Sequence, residues 1–517
     1  MKSILHMPIL ALLLALAGCE TAITENTPPE DQPSRIVVTF PESVSPQPVT
    51  GRVLLFFSSN LEGEPRAHLN FMDPDPLFAI DVKGAKPGEP IEFHPRNFWA
   101  PDSLAFPKPL RQLEDGNYRV QALIDTDNTR RSFNDGPGNL YSEPIEVVVE
   151  NGKFGTVNLV ANLVIKEEKH EENDWVKLVK VRSQLLSDFH GRDVYLRASV
   201  LLPYGYEEET DRYYPAYYEV PGFGGRHFYL LKETESKGGY WKAWSTGKNP
   251  FRGFRIVLDP DMPLGHSVFA NSANNGPAGD ALVRELIPAI ESRFRIKPES
   301  HARFIGGHSS GGWSSLWLQI TYPDFFGGCW STAPDPVDFR AYQTVNIYED
   351  ANGHWTPTGQ PRPVARSRHE VLQSTVTINH WEYVLGYGEQ LDSFDAVFSP
   401  RGEDGNPMQI MDKLTGFINK DVALYWKNYD IRLIIEENWP TLGPKLQGKL
   451  HIIGGGWDTF YLEPALIMLK EFLDTQDHGG YVKILPGNHG SFFSDELWHM
   501  IHLEMADQYA EADQSRP

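Results

Sequence analysis

Apolar and polar positions divide the chain into stretches of different period. From 35 to 165 the apolar residues come in short β-branched and aromatic runs, at 36–40, 52–57, 118–124, 145–149 and 157–160. Turn signals such as Pro87-Gly88, Asp115-Gly116 and Asn151-Gly152 fall between them. Short strands without a helical period predict an antiparallel β-sandwich over 35–165. From 166 the pattern changes. Strand-like runs at 197–202, 213–220, 254–260 and from 303 alternate with helical ones. Leu282, Leu286, Ile290 and Phe294 recur at spacing four and predict a helix over 280–294 with Asp280 as its cap. A second helix is expected over 313–320. Strand, helix and strand follow at 449–453, 461–473 and 481–485. Alternating strands and helices imply an α/β fold with a mainly parallel sheet.

The stretch 334–447 breaks that alternation. It carries Trp355, Trp381, Trp426 and Trp439 and suggests helices at 421–429 and around 369–375. Two readings stand for it, a cap that shapes a substrate pocket or added scaffold.

Composition narrows the class. A chain of 517 residues with 40% hydrophobic and 12% aromatic content can build large cores, which excludes a disordered chain and suggests two to four domains. A net charge of -22 argues against nucleic acid or anionic lipid as the main partner. The two cysteines, Cys19 and Cys329, form no disulfide framework and fit no zinc or redox spacing. Cys329, between Gly328 and Trp330, reads as a small buried hydrophobe.

The first residues look like an address. Lys2 precedes an apolar run over 4–17 that is too short to span a bilayer permanently. Its ending, Leu16-Ala17-Gly18-Cys19, resembles the bacterial lipoprotein lipobox. That resemblance implies a signal peptide over 1–18, cleavage before Cys19 and a lipid on Cys19. The protein would then be an exported, membrane-anchored lipoprotein of the cell envelope, in the periplasm or at the cell surface. Residues 19–34, rich in Thr, Glu, Asp and Pro, read as a flexible tether.

Two loops invite a chemical reading. Asp125, Asp127 and Asn128, with Asn134 and Asp135 beyond, offer oxygens that could hold calcium. They fail the EF-hand pattern, with Arg130 where glycine is needed, and a solvated turn with Asp and Asn bonding to backbone fits better. The second loop is Gly307-His308-Ser309-Ser310-Gly311, a G-x-S-x-G pattern between a strand and a helix. That context suits a nucleophile elbow. The glycines clear space for a sharp reversal, which presents the Ser309 hydroxyl beside a helix N-terminus. The backbone N–H of Ser310 is placed to stabilise an oxyanion.

Around this motif, Leu202-Pro203-Tyr204-Gly205-Tyr206, Pro221-Gly222-Phe223-Gly224-Gly225, Glu285-Leu286-Ile287-Pro288 and Tyr322-Pro323-Asp324-Phe325-Phe326 occur in order. The set resembles the putative-esterase family of α/β-hydrolases, which includes esterase D, feruloyl esterases and enterobactin esterases. The likeness covers roughly 175–333 and resumes near 448. It implies an α/β-hydrolase domain over 166–517 with a cap-like insertion at 334–447. The short strands of 35–165 place the preceding sandwich loosely with the immunoglobulin-like class. The family likeness implies a second oxyanion donor at the N–H of Phe223 or Gly224. It also implies the acid at Asp458 and the base at His489, both just past strand ends and in the chain order Ser, Asp, His. Asp474 and Asp477 are rival acids, but they follow a helix. His308 is expected to pack under the elbow, His451 to be a core or edge residue, and His499 with His502 to lack a third metal ligand.

The expected activity is hydrolysis of a carboxylic ester through an acyl-enzyme on Ser309, without a metal or other cofactor. The substrate would be a small-molecule or carbohydrate-linked ester. The alternatives are a serine peptidase of the same fold and a non-catalytic binding lipoprotein.

Overall fold

The computed structural model describes residues 34–94, 103–236 and 238–514. The signal segment, Cys19 and all but the last residue of the tether lie outside them. Among the described residues no helix is long and apolar enough to cross a membrane.

The N-terminal strands form a three-stranded and a seven-stranded sheet. The two share one core. Ile36, Val38 and Leu159 of the smaller sheet pack with Val53, Leu55, Phe57, Val120 and Ile124 of the larger. The run 52–57 is apolar at every position past Arg52 because both faces of its strand are covered. Val53, Leu55 and Phe57 point into that shared core. Leu54 and Phe56 point the other way, into a second cluster with Trp381, Val384 and Leu385. Burying such side chains contributes about 1.5–3 kcal/mol each at most, so the larger sheet is fastened to the 334–447 insertion through its outer face. The 125–136 loop is held by Asp127 within it and by Asn139 just past it. Asn139 Oδ1 accepts from the N–H groups of Thr126 and Asp127, and Asp127 accepts from the Arg130 N–H, so these oxygens serve the turn.

The second unit is built on an eight-stranded sheet. We number its strands β1 (Val176–Ser183), β2 (Val194–Leu201), β3 (Ala216–Val220), β4 (Phe254–Leu258), β5 (Arg303–His308), β6 (Gly328–Thr332), β7 (Leu450–Gly455) and β8 (Tyr481–Leu485). Their order is β1-β2-β4-β3-β5-β6-β7-β8. β2 runs antiparallel to both neighbours, and the pairs from β4 to β8 are parallel. This is an α/β-hydrolase-type sheet. β3, β4 and β6 are buried at every position, as strands covered on both faces must be.

Two local expectations fail. The 369–375 stretch is not helical. It contains the second strand of a hairpin, Pro363–Ser367 with Glu370–Ser374, and helix α2 (Thr375–Leu385) starts only at its last residue. Ser374, the last residue of that strand, caps the helix by accepting from the Thr377 N–H. Asp280 is not a cap either. The helix begins at Ala278, passes through a π-helical segment at Leu282–Leu286 and ends at Arg293. Asp280 instead accepts a bond from the Tyr322 hydroxyl at 2.8 Å. The insertion continues with helix α3 (Gln390–Phe398), and helix 420–426 forms where 421–429 was expected, closed by a 3-10 turn.

Candidate active site

Five adjacent strands, β3, β5, β6, β7 and β8, end at one rim of the sheet. The loops that leave them meet there. β3 leads into the glycine-rich turn 221–225, β5 into Ser309, β6 into Asp335, β7 into Asp458 and β8 into His489.

Ser309 sits between β5 and helix α1 (Ser310–Thr321) at φ 60° and ψ -123°. A non-glycine residue in this region is strained and persists only where its surroundings over-determine it. The surroundings are visible. The Ser309 N–H bonds to Thr332 O at 3.0 Å, and its carbonyl accepts from Trp313 and Asp335 at 3.0 and 3.2 Å. A Cβ on Gly311 would overlap the Val220 carbonyl, and one on Gly307 would overlap the Gly311 backbone. The two motif glycines are therefore required by close approach of β3 to the turn.

His489 Nδ1 lies 2.8 Å from Asp458 Oδ2. Asp458 is 1% exposed, and its Oδ1 accepts from the Phe460 N–H at 2.8 Å. A buried carboxylate bonded this way fixes the ring's orientation and favours a proton on Nδ1. The ring is also held between His308, with centroids 4.5 Å apart, and Phe460, at 4.9 Å. That leaves Nε2 for the cavity. His308 lines the cavity beside His489 rather than packing beneath the elbow. Burial pushes its pKa down to about 3, and the neighbouring His489 pushes in the same direction, so His308 is neutral.

The cavity measures about 340 Å³. Ser309, His489, Gly222 and Phe223 line it, as do Trp381 of α2, Phe394 of α3, Phe460 and, from the N-terminal unit, Phe71. The insertion thus walls the cavity and packs on the N-terminal sheet at once. Of the four tryptophans noted in it, Trp381 faces the site, Trp426 is core and Trp355 is 42% exposed.

The turn after β3 is shaped to hold donors. Gly225 N–H is taken by Gly222 O at 2.9 Å. Phe223 lines the cavity and Gly224 does not. Ser310 opens α1, so its N–H has no acceptor within the helix. At the root of the turn, His266 Nδ1 accepts from the Val268 N–H, which leaves Nε2–H to donate to Pro221 O at 2.9 Å. Burial lowers the His266 pKa to about 4, in keeping with a neutral ring.

Asp335 was not foreseen. It is 6% exposed, accepts from Ser310 Oγ at 2.6 Å and lies 3.4 Å from Ser309 Oγ. Its place just past β6, within Pro334-Asp335-Pro336, was the available signal. Burial pushes its carboxyl up to about 6, against the Ser310 bond and the His489 charge. A carboxyl with a raised folded pKa holds its proton longer in the native state than in the unfolded chain. Stability from this group is therefore lost as pH rises from about 4 through 6 and stays lost above. Asp335→Asn does not titrate. We expect the variant to gain on the order of 1 kcal/mol relative to wild type between pH 5 and pH 8, read as a diverging thermal midpoint. A constant difference across that range would contradict a buried, titrating Asp335.

The family model described as "Putative esterase" matches residues 261–393. The matched stretch contains Ser309 and Asp335 but neither Asp458, His489 nor the 221–225 turn. The match supports an ester-hydrolysing enzyme. No curated protein sequence matches the chain. Among solved structures, a ferulic acid esterase is similar at 12% identity and a TM-score of 0.40, with 65% of this chain and 100% of that one covered. A fluorophosphonate-binding serine hydrolase from Staphylococcus aureus is 14% identical with a TM-score of 0.39 over 64% and 98% of the two chains. An S-formylglutathione hydrolase from Agrobacterium tumefaciens is 14% identical with a TM-score of 0.39 over 66% and 98%.

Proposed function

We propose that the protein is a serine esterase acting through an acyl-enzyme on Ser309, with His489 as base and Asp458 as its orienting acid. One observation carries the reading. A strained serine at a helix N-terminus and an aspartate-held imidazole line the same cavity, next to a turn that offers backbone N–H groups.

The Ser309 hydroxyl turns about its Cα–Cβ bond from Asp335 towards His489 Nε2, which accepts the proton as Oγ attacks the ester carbonyl carbon. The N–H groups of Ser310 and Phe223 stabilise the resulting oxyanion. The C–O bond to the alcohol then breaks, and His489 returns its proton to the leaving oxygen. Water repeats the sequence on the acyl-enzyme and releases the acid. The ionised Asp458 stabilises the imidazolium at both stages. A mostly apolar cavity walled by Phe71, Trp381, Phe394 and Phe460 suits a compact apolar or aromatic group on one side of the ester.

The N-terminal unit, residues 35–165, is read as a sandwich domain and 166–517 as the catalytic domain with its insertion at 334–447. Export and lipid attachment at Cys19 rest on the Leu16-Ala17-Gly18-Cys19 pattern. Metabolic labelling with a radioactive fatty acid tests them: label on wild type and none on Cys19→Ser is expected, and equal labelling would refute the anchor.

Hydrolysis of a panel of p-nitrophenyl esters and matched anilides by the purified protein tests the reaction class. Ester turnover well above amide turnover is expected. Amide turnover without ester turnover would make the protein a peptidase, and no turnover of either above the Ser309→Ala background would make it a binder.

A further inference from the structure

We propose that Arg131, carried by the N-terminal sheet unit, is a positioning residue that holds the oxyanion turn of the catalytic cavity in its working shape; this rests on the serine-esterase reading above.

The turn 221–225 contains three glycines, and glycine restrains a backbone poorly. An oxyanion donor must nevertheless sit within a fraction of an ångström of its place, because misplacement by about 1 Å can cost on the order of a hundredfold in rate. Something outside the turn has to fix it. His266 does so at the root, through Pro221 O. At Phe223 the fixing group comes from another part of the chain. The Arg131 guanidinium lies over the Phe223 ring with its central carbon 4.5 Å from the centroid. In its plane the same group donates from Nη1 to Gly388 O at 3.2 Å and from Nε to Asp261 Oδ1 at 3.3 Å, and it faces Glu389 at 3.8 Å. Its side chain is 12% exposed. Gly388 and Glu389 lead directly into α3, which walls the cavity. A Cβ on Gly388 would stand 2.6 Å from Arg131 O, so the insertion and the 131 loop meet backbone to backbone. One side chain thus joins the oxyanion turn, the insertion and Asp261 beyond β4.

A second contact follows the same route. Arg226, three residues past Phe223, reaches Asp135 of the N-terminal unit from Nη1 at 3.1 Å while its other nitrogens hold Asp259. The loop that presents Arg131 and Asp135 is stiff, since buried Asn139 bonds Thr126, Asp127, Asp125 and the Phe133 carbonyl. With Phe71 in the cavity wall, the N-terminal unit contributes a working part of the active site rather than a separate module.

The residue type is informative. A planar guanidinium can stack on an aromatic face and donate hydrogen bonds in its plane at the same time; an ammonium cannot. Arg131→Lys therefore keeps the charge among Asp261 and Glu389 and removes the stacking. We expect it to lower kcat by about tenfold or more, short of the 10²–10³ lost when a donor is removed outright, with KM changed less than about twofold. Affinity for a trifluoromethyl ketone, which forms a tetrahedral oxyanion on the serine, should fall by the same factor as kcat/KM. Rates are taken per active site, titrated by the acylation burst, so a loss of folded protein does not imitate the effect. In a Phe223→Leu background, which keeps the backbone N–H and removes the ring, Arg131→Lys should add little.

Wild-type kcat and ketone affinity in Arg131→Lys would overturn the proposal, as would additive effects of the two substitutions. Should the Arg131 variant not fold, Asp135→Asn tests the second contact at a position 46% exposed; the same fall in kcat and ketone affinity, smaller in size, is expected, and no change would overturn the proposal. Ester turnover undiminished in Ser309→Ala would instead remove the serine reading on which it rests, a result distinct from any of these.

Discussion

Ser309→Ala is expected to lose ester turnover by on the order of 10⁴- to 10⁶-fold, the range in which serine hydrolases fail when the nucleophile is removed. The fold should stand. Alanine keeps the Cβ, so the backbone at φ 60° is no more strained than with serine. The bonds that fix the turn come from main-chain atoms, the N–H to Thr332 and the carbonyl to Trp313 and Asp335. What disappears is one hydroxyl and its 3.4 Å contact with Asp335 Oδ1. Removing it also leaves Asp335 bonded to Ser310, so no buried carboxylate is stranded. Steady-state kinetics on an activated ester, paired with a thermal midpoint, checks both halves. Retained turnover would mean that the cavity works through another residue.

Asp458→Asn should cost nearly as much, on the order of 10⁴-fold in kcat, with KM close to wild type. The cause is tautomeric rather than structural. Asp458 Oδ1 accepts the Phe460 N–H, and an asparagine oxygen can do the same. The other position faces His489 Nδ1 at 2.8 Å. An amide nitrogen there is a donor, so it bonds the unprotonated Nδ1 and leaves the proton on Nε2, where it cannot take one from Ser309. The cationic imidazolium also loses its counter-charge. A substitution at either rival acid, Asp474 or Asp477, should leave kcat unchanged. A small effect at Asp458 combined with a large one at either rival would move the acid.

Much of this site was legible because its parts are local. Gly307, Ser309 and Gly311 sit within five residues, and each glycine answers a close approach that any such elbow makes. The parallel strands were legible because burial on both faces leaves near-continuous apolar runs. The family resemblance pointed to Asp458 and His489, just past β7 and β8, and the structure brings the two within 2.8 Å. The misses are of a different kind. At 369–375 a short apolar pair, Val371 and Leu372, suits helix or strand equally. The structure places both on an exposed hairpin, where periodicity carries no information. Asp280 has the composition of a cap, yet its partner is Tyr322, 42 residues away. Asp335, His266 and the contact of Arg131 with Phe223 depend on loops brought together by the sheet. Asp135 and Arg226 meet across 91 residues, and no local pattern marks such a pair. The two readings of the insertion also merge. α2 and α3 wall the cavity while α2 rests on the N-terminal sheet, so pocket and scaffold are one piece.

The most direct test of the central claim is intact and peptide mass spectrometry after mixing the enzyme with a slowly deacylating p-nitrophenyl ester. One acyl group per chain is expected, on Ser309, forming at the rate of the p-nitrophenolate burst and absent from Ser309→Ala. Full turnover with no adduct, or an adduct on another residue in a protein that stays active without Ser309, would contradict it.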